Sequence, residues 1–206
     1  MFAIIDYKAG NLTSVAHALK HLGHRCEITD SPEKIRRADG AILPGVGAAG
    51  ATMRNLRVLG LDRVLRDEVI PAGKPFLGIC IGIQVLFDHS DEDEEDCLGV
   101  IRGRVAKYPT SIEGRVLKVP QIGWNRVLQL RRHRVFEGVP DNTRFYFVNS
   151  FYPIPDDPEV VIGEGEYGLR FAAAIAQGNL VATQFHLEKS GAAGLRFLDN
   201  FCKMAA

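Results

Sequence analysis

No surplus of either charge marks this sequence: 25 Lys and Arg stand against 25 Asp and Glu. A protein that grips nucleic acid by its phosphates carries a basic excess, so that class of partner is excluded. No apolar run approaches the ~18 residues of a membrane span, which excludes a membrane partner of that kind. The opening MFAIIDYKAGN has no basic leader and meets Asp6 early, so it reads as a strand rather than a secretory signal. The four cysteines, at 26, 80, 97 and 202, form no C-x-x-C pair. They read as reduced thiols of a cytoplasmic protein. Internal repeats, low-complexity tracts and linkers are also missing, and residues 1–206 are expected to form one domain. With 46% apolar and 24% charged residues, neither disorder nor a coiled coil is expected.

What is present alternates. Phe2–Tyr7 is a short apolar strand, and Leu12, Val15, Ala16, Leu19 and Leu22 then recur at helical spacing up to Gly23. Arg25–Thr29 is a second strand, and Ser31-Pro32-Glu33 gives a cap with proline at the first helical position. Ala41–Leu43 is a third strand, Leu61–Ile70 a helix, and Pro75–Ile79 a fourth strand running into Cys80. Strand and helix in turn imply right-handed crossovers and a mostly parallel sheet covered on both faces. The second half changes to short strands divided by Gly, Pro and Asn turns: 102–107, 116–119, 145–148, 160–163, 172–176 and 180–186. The expected fold class is therefore α/β, a mostly parallel central sheet flanked by helices with antiparallel additions in the second half. A closing helix carries Leu195, Leu198 and Phe201 as its inner stripe.

The strongest chemical signal is Gly78-Ile79-Cys80-Ile81-Gly82, between an apolar strand and the helix-like Ile83–Phe87. It is the cysteine form of the G-x-S-x-G nucleophile elbow, whose strained turn needs small neighbours on both sides. A helix N-terminus there favours thiolate over thiol, and the Ile81 N–H faces a developing oxyanion. A thiolate nucleophile needs a base held by a third group. His186, at the end of a late apolar strand, has Glu188 two residues on, and in extended backbone such residues share a face.

Other patterns compete poorly. GVGAAG, residues 45–50, matches the dinucleotide fingerprint G-x-G-x-x-G, but it follows the third strand and lacks an acid ending the next strand. Its glycines are read instead as backbone that approaches a small ligand closely. His17, His21 and His24 near Cys26 lack the filling of a metal motif and read as helix surface, so no metal site is expected. His89 and His133, among charges, read as solvated. Residues 88–96 hold seven carboxylates in nine positions. They read as a loop that repels itself open, or as one that meets a cationic group on a substrate.

The elbow G-x-C-x-G-x-Q over Gly78–Gln84 and F-H-x-E-K-S over Phe185–Ser190 together resemble a class I glutamine amidotransferase domain, a flavodoxin-like fold. Ile5–Asn11, Pro44–Gly47, Lys118–Asn125 and Tyr146–Tyr152 narrow the likeness to the glutaminase subunits of imidazole glycerol phosphate synthases, of histidine biosynthesis. The resemblance implies that Cys80 attacks the amide carbon of L-glutamine, that His186 moves the protons and that Glu188 orients it. It implies an oxyanion hole of the Ile81 N–H with that of Val46 or Gly47, and no cofactor. Gln84, Ser150 and Phe151 would hold the substrate, with Glu92 on its ammonium. The partner implied is a (β/α)₈-barrel cyclase that receives the ammonia in a heterodimer, met by Asn11, Trp124, Tyr146 and Lys189. Leu187 stands where the family has proline, which implies a looser His186; Gln121 and Asn149 stand at positions often held by histidine. The residues alone leave open a glutaminase of another synthase, a cysteine hydrolase or peptidase of the same fold, and a binding subunit without catalysis.

Overall fold

A computed structural model describes residues 1–8 and 10–205. Ala9, inside the Ile5–Asn11 stretch, and Ala206 lie outside the described residues. The first half reads β1 (Phe2–Ile5), α1 (Leu12–His21), β2 (Cys26–Thr29), α2 (Pro32–Arg37), β3 (Gly40–Gly45), α3 (Ala49–Val58), α4 (Leu61–Arg63) and β4 (Phe76–Cys80). A single helical turn, α5 (Ile81–Gln84), follows Cys80. Next come β5 (His89–Ser90), β6 (Glu95–Asp96), β7 (Gly103–Lys107) and a small hairpin of β8 (Ser111–Ile112) with β9 (Arg115–Val116). The chain ends with β10 (Gln121–Gln129), β11 (Thr143–Asn149), β12 (Phe151–Pro155), β13 (Val161–Tyr167), β14 (Leu169–Gln177), β15 (Leu180–Thr183) and α6 (Gly191–Cys202).

Nine strands form the central sheet in the order β11-β10-β13-β14-β15-β4-β3-β1-β2. The run from β15 to β2 is parallel and the other four strands join it antiparallel. The antiparallel half is thus larger than an addition to a mostly parallel sheet. In β1 the alternation of side chains decides the layers: Phe2 and Ile4 face α1 and α6, whereas Ala3 and Ile5 face the core built on α2, α3 and α4. Each fully buried Leu or Phe contributes ~1.5–3 kcal/mol of burial free energy. Among the described residues no helix is long and apolar enough to cross a membrane.

Several elements differ from the sequence reading: the strand expected over 116–119 is confined to β9, and β12 was not expected. Helix α3 was not expected, because Gly50, Thr52 and Asn55 are weak helix formers; tertiary burial of Ala49, Met53 and Leu56 holds it. The helix after Gly60 is not uniform, since α4 runs into a π-helical stretch over Val64–Val69. In β10 the usual pattern is inverted: Gln121 is buried while Ile122, Trp124 and Leu128 are exposed, so no apolar-in alternation signals it. The strand expected over 180–186 stops at Thr183.

Candidate active site

Register builds this site. Strands β3 and β4 pair in parallel with Leu43 opposite Gly78, Pro44 opposite Ile79 and Gly45 opposite Cys80. The Val46–Gly47 turn therefore leaves the sheet directly beside the nucleophile. Cys80 adopts φ 57°, ψ −107°, a conformation that L-residues rarely take and that costs ~1–3 kcal/mol. The flanking glycines permit it: a Cβ on Gly78 would lie 2.6 Å from the Gly82 carbonyl oxygen, and one on Gly82 would overlap the carbonyl oxygen of Leu43. We expect Gly82→Ala to lower stability by about 2 kcal/mol or more, since backbone must part from backbone. A denaturant midpoint equal to that of the parent would remove the steric argument.

His186 and Glu188 meet as expected, by a different route. The bond from Nδ1 to the Glu188 carboxylate is 2.8 Å, with both side chains 2% exposed. Leu187–Lys189 is a 3₁₀ turn rather than extended backbone, so the turn, not strand alternation, curls the carboxylate back under the ring. Nε2 is left for Cys80, the neighbour that together with Glu188 raises the His186 imidazole. Burial disfavours the imidazolium, but the hydrogen bonds to Cys80 and Glu188 outweigh it and push His186 up to about 9. The backbone of His186 is clamped too: its N–H donates to the Tyr146 carbonyl at 2.9 Å, and its carbonyl accepts from Ser190 Oγ at 2.6 Å.

A pocket of about 160 Å³ opens over Cys80, lined by Val46, Gly47, Ile81, Gln84, Glu92 and Ser150 among others. That is below the roughly 300–1,000 Å³ of drug-sized ligand sites and suits a single amino acid. Phe151 adds its carbonyl, which accepts from Gln84 Nε2 at 3.1 Å and from Asn149 Nδ2 at 2.9 Å. Glu92 is half-buried; burial raises its carboxyl above the ordinary range, opposed by the Ala49 N–H that donates to Oε2 at 2.9 Å.

That last bond changes the reading of two stretches. Helix α3 follows the glycine turn, as a nucleotide site would require, but its N-terminus is filled by the chain's own Glu92, with Asp93 against Gly50. A phosphate would meet carboxylates there. Nor is the acidic segment an open, self-repelling loop. It folds as the β5–β6 hairpin, held by Arg57 on Glu95 at 2.6 Å and Arg104 on Asp91 at 3.0 Å. His89 bonds Asp96 at 3.2 Å, and His133 caps the N–H of Val135, so neither is simply solvated. His17 and His21 do lie on the exposed face of α1.

One residue at the centre was given no role from the sequence. Gln184 is fully buried, and its Nε2 stands 3.9 Å from the Cys80 sulphur. It lies two residues before His186, and an amide in a row of buried apolar neighbours was the signal available.

The family pattern described as "Glutamine amidotransferase class-I" matches residues 3–205. The chain belongs to this family. The imidazole glycerol phosphate synthase subunit HisH of Dehalococcoides mccartyi (strain ATCC BAA-2266 / KCTC 15142 / 195) is 47% identical over 206 residues, covering all of this chain and 98% of the relative. The same-named subunit of Nitratidesulfovibrio vulgaris (strain DP4) is 48% identical over 204 residues, covering 98% and 95%. Among solved structures, a glutamine amidotransferase superposes with a TM-score of 0.74 at 19% identity, covering 99% of this chain and 98% of the other.

Against the pattern of class I glutamine amidotransferases, Leu187 costs little here. It is fully buried in the core, and the Tyr146 and Ser190 hydrogen bonds restrain His186 where proline would otherwise bias it. Gln121 and Asn149 face each other across β10 and β11, both buried, and Gln121 Oε1 accepts from the Tyr108 hydroxyl at 3.4 Å. Asn11 precedes α1 and accepts from Ser14, while Lys189 is exposed. Trp124 is 54% exposed and meets the Tyr146 ring edge-on at 6.0 Å, which rules out a core role for it.

Proposed function

We propose that this chain, as a single amidotransferase domain, is the glutaminase subunit of an imidazole glycerol phosphate synthase. The observation that carries the reading is Cys80 lining an amino-acid-sized pocket, backed by the buried His186–Glu188 pair. His186, pushed up to about 9, is basic enough to take the Cys80 proton as the sulphur attacks. Cys80 Sγ adds to the amide carbon of glutamine, and the oxyanion takes the Ile81 N–H and one from the Val46–Gly47 turn. The C–N bond breaks as His186 gives its Nε2 proton to the leaving ammonia. Water, deprotonated by the now neutral His186, cleaves the thioester, and glutamate leaves with Cys80 restored. The free oxygen of Glu92 receives the substrate's ammonium, while Gln84, Ser150 and the Phe151 backbone hold its other polar ends.

The ammonia passes to a (β/α)₈-barrel cyclase docked as a heterodimer. The inverted face of β10 supports this reading: Ile122, Trp124 and Leu128 point outward, as strands do when another chain covers them. Tyr146, whose carbonyl holds His186, gives the docked partner a short path to the triad, and Asn11 and the exposed Lys189 are the further residues assigned to that interface. The test is a glutaminase assay with and without the barrel protein and its nucleotide substrate. Hydrolysis should be weak alone and rise strongly with both. Hydrolysis that ignores this partner, or that rises with a different synthase, would refute the assignment.

A further inference from the structure

The Cys80 sulphur has neighbours that oppose one another. The Val148 carbonyl, 3.8 Å away, can only accept and so favours the thiol. Helix α5 is one turn long, so the dipole that the elbow was expected to supply is small. On the other side stand His186 and the amide of Gln184. An amide can turn either its oxygen or its NH₂ to a neighbour, and the choice decides which form of the sulphur it helps.

A backbone carbonyl settles that choice. The Phe151 oxygen can only accept, so the group of Gln84 facing it must be Nε2. The same Nε2 lies 2.9 Å from Gln184, which must therefore turn its oxygen to Gln84 and its NH₂ to Cys80. We propose that Gln184 holds the Cys80 thiolate by donating an N–H to its sulphur, in an orientation dictated through Gln84 by the Phe151 carbonyl. The inference rests on the glutaminase reading and assigns a positioning residue to it. The relay also ties pocket to nucleophile. Both protons of Gln84 are engaged, so it offers a ligand only its carbonyl Oε1, an acceptor for an ammonium or an amide NH₂ rather than for a carboxylate.

Gln184→Glu removes the donor, because an oxygen still accepts from Gln84 while the N–H on sulphur is gone; Gln184→Met, which adds no charge beside the sulphur, separates the lost donor from the new carboxylate. At neutral pH, iodoacetamide should alkylate Cys80, assigned by peptide mass, roughly ten- to a hundredfold more slowly, the loss of a hydrogen bond to a charged group. The thiolate ultraviolet band should shrink in parallel. With the barrel partner present, kcat for glutamine should fall by a similar factor and KM stay within about twofold. Gln184→Met, which is apolar and of similar length, should slow alkylation equally and serves if the Glu variant does not fold. A folded variant that alkylates at the parental rate would overturn the proposal. Alkylation needs no glutamine. A parent that alkylates fast yet hydrolyses no glutamine with any synthase therefore defeats the glutaminase reading and not this one.

Discussion

Cys80→Gly should abolish glutamine hydrolysis, a fall of at least about 10⁴-fold by analogy with other nucleophile deletions, and yet unfold at a higher temperature than Cys80→Ala. The nucleophile sits at φ 57°, ψ −107°, where any Cβ is crowded. Alanine keeps that Cβ and the strain; glycine sheds it at an entropic cost of ~0.5–1 kcal/mol. Set against a strain of ~1–3 kcal/mol, the balance favours glycine by about 1 kcal/mol, or ~2–4 °C in a domain of this size. Ammonia-dependent synthesis by the barrel partner should survive both substitutions, since neither touches the surface of β10. Equal melting temperatures for the two variants would show that the strain is not stored at this residue. Glutamine turnover within about 10²-fold of the parent in either would remove Cys80 from the mechanism altogether.

The legible parts of the site were those fixed by covalent spacing. Glycines two residues either side of Cys80 announce an elbow because nothing larger fits against Leu43 and Gly82, and the strand before it is continuous and apolar. His186 and Glu188 were paired correctly from their separation, although the backbone that pairs them is a 3₁₀ turn and not a strand. The parts that were not legible depend on contacts between distant segments. Nothing in Ala49–Val58 says that Glu92, 43 residues on, will fill that helix's N-terminus. The acidic run looked self-repelling because Arg57 and Arg104, which offset it, lie far from it in sequence or on a neighbouring strand. Strand β10 was hidden for another reason: several of its exposed side chains are apolar, so a rule that puts apolar residues inside fails on this face.

Glu188→Gln should cost ~10³–10⁴-fold in kcat with the pocket intact, the scale seen when a triad's orienting carboxylate is made neutral. The amide can still meet Nδ1, but it no longer stabilises the imidazolium, and it can present its NH₂ and force the wrong tautomer. The same change should appear in the pH dependence of stability. His186 in the folded chain is raised from an ordinary value near 6.5 to about 9, so the fold binds a proton over that interval that the unfolded chain has released. Its stabilising contribution is complete below pH 6.5 and disappears as pH climbs through about 9. The parent's melting temperature should therefore decline across that window. In Glu188→Gln the hydrogen bond to Cys80 still favours the imidazolium, so the decline should move to lower pH without vanishing. A parent whose melting temperature is flat from pH 6.5 to 9 would show that His186 is not the group whose proton the fold retains over that window. Among the described residues no Lys, Arg or His lines the pocket, so a positive charge facing the sulphur from the pocket side would have to come from a docked partner.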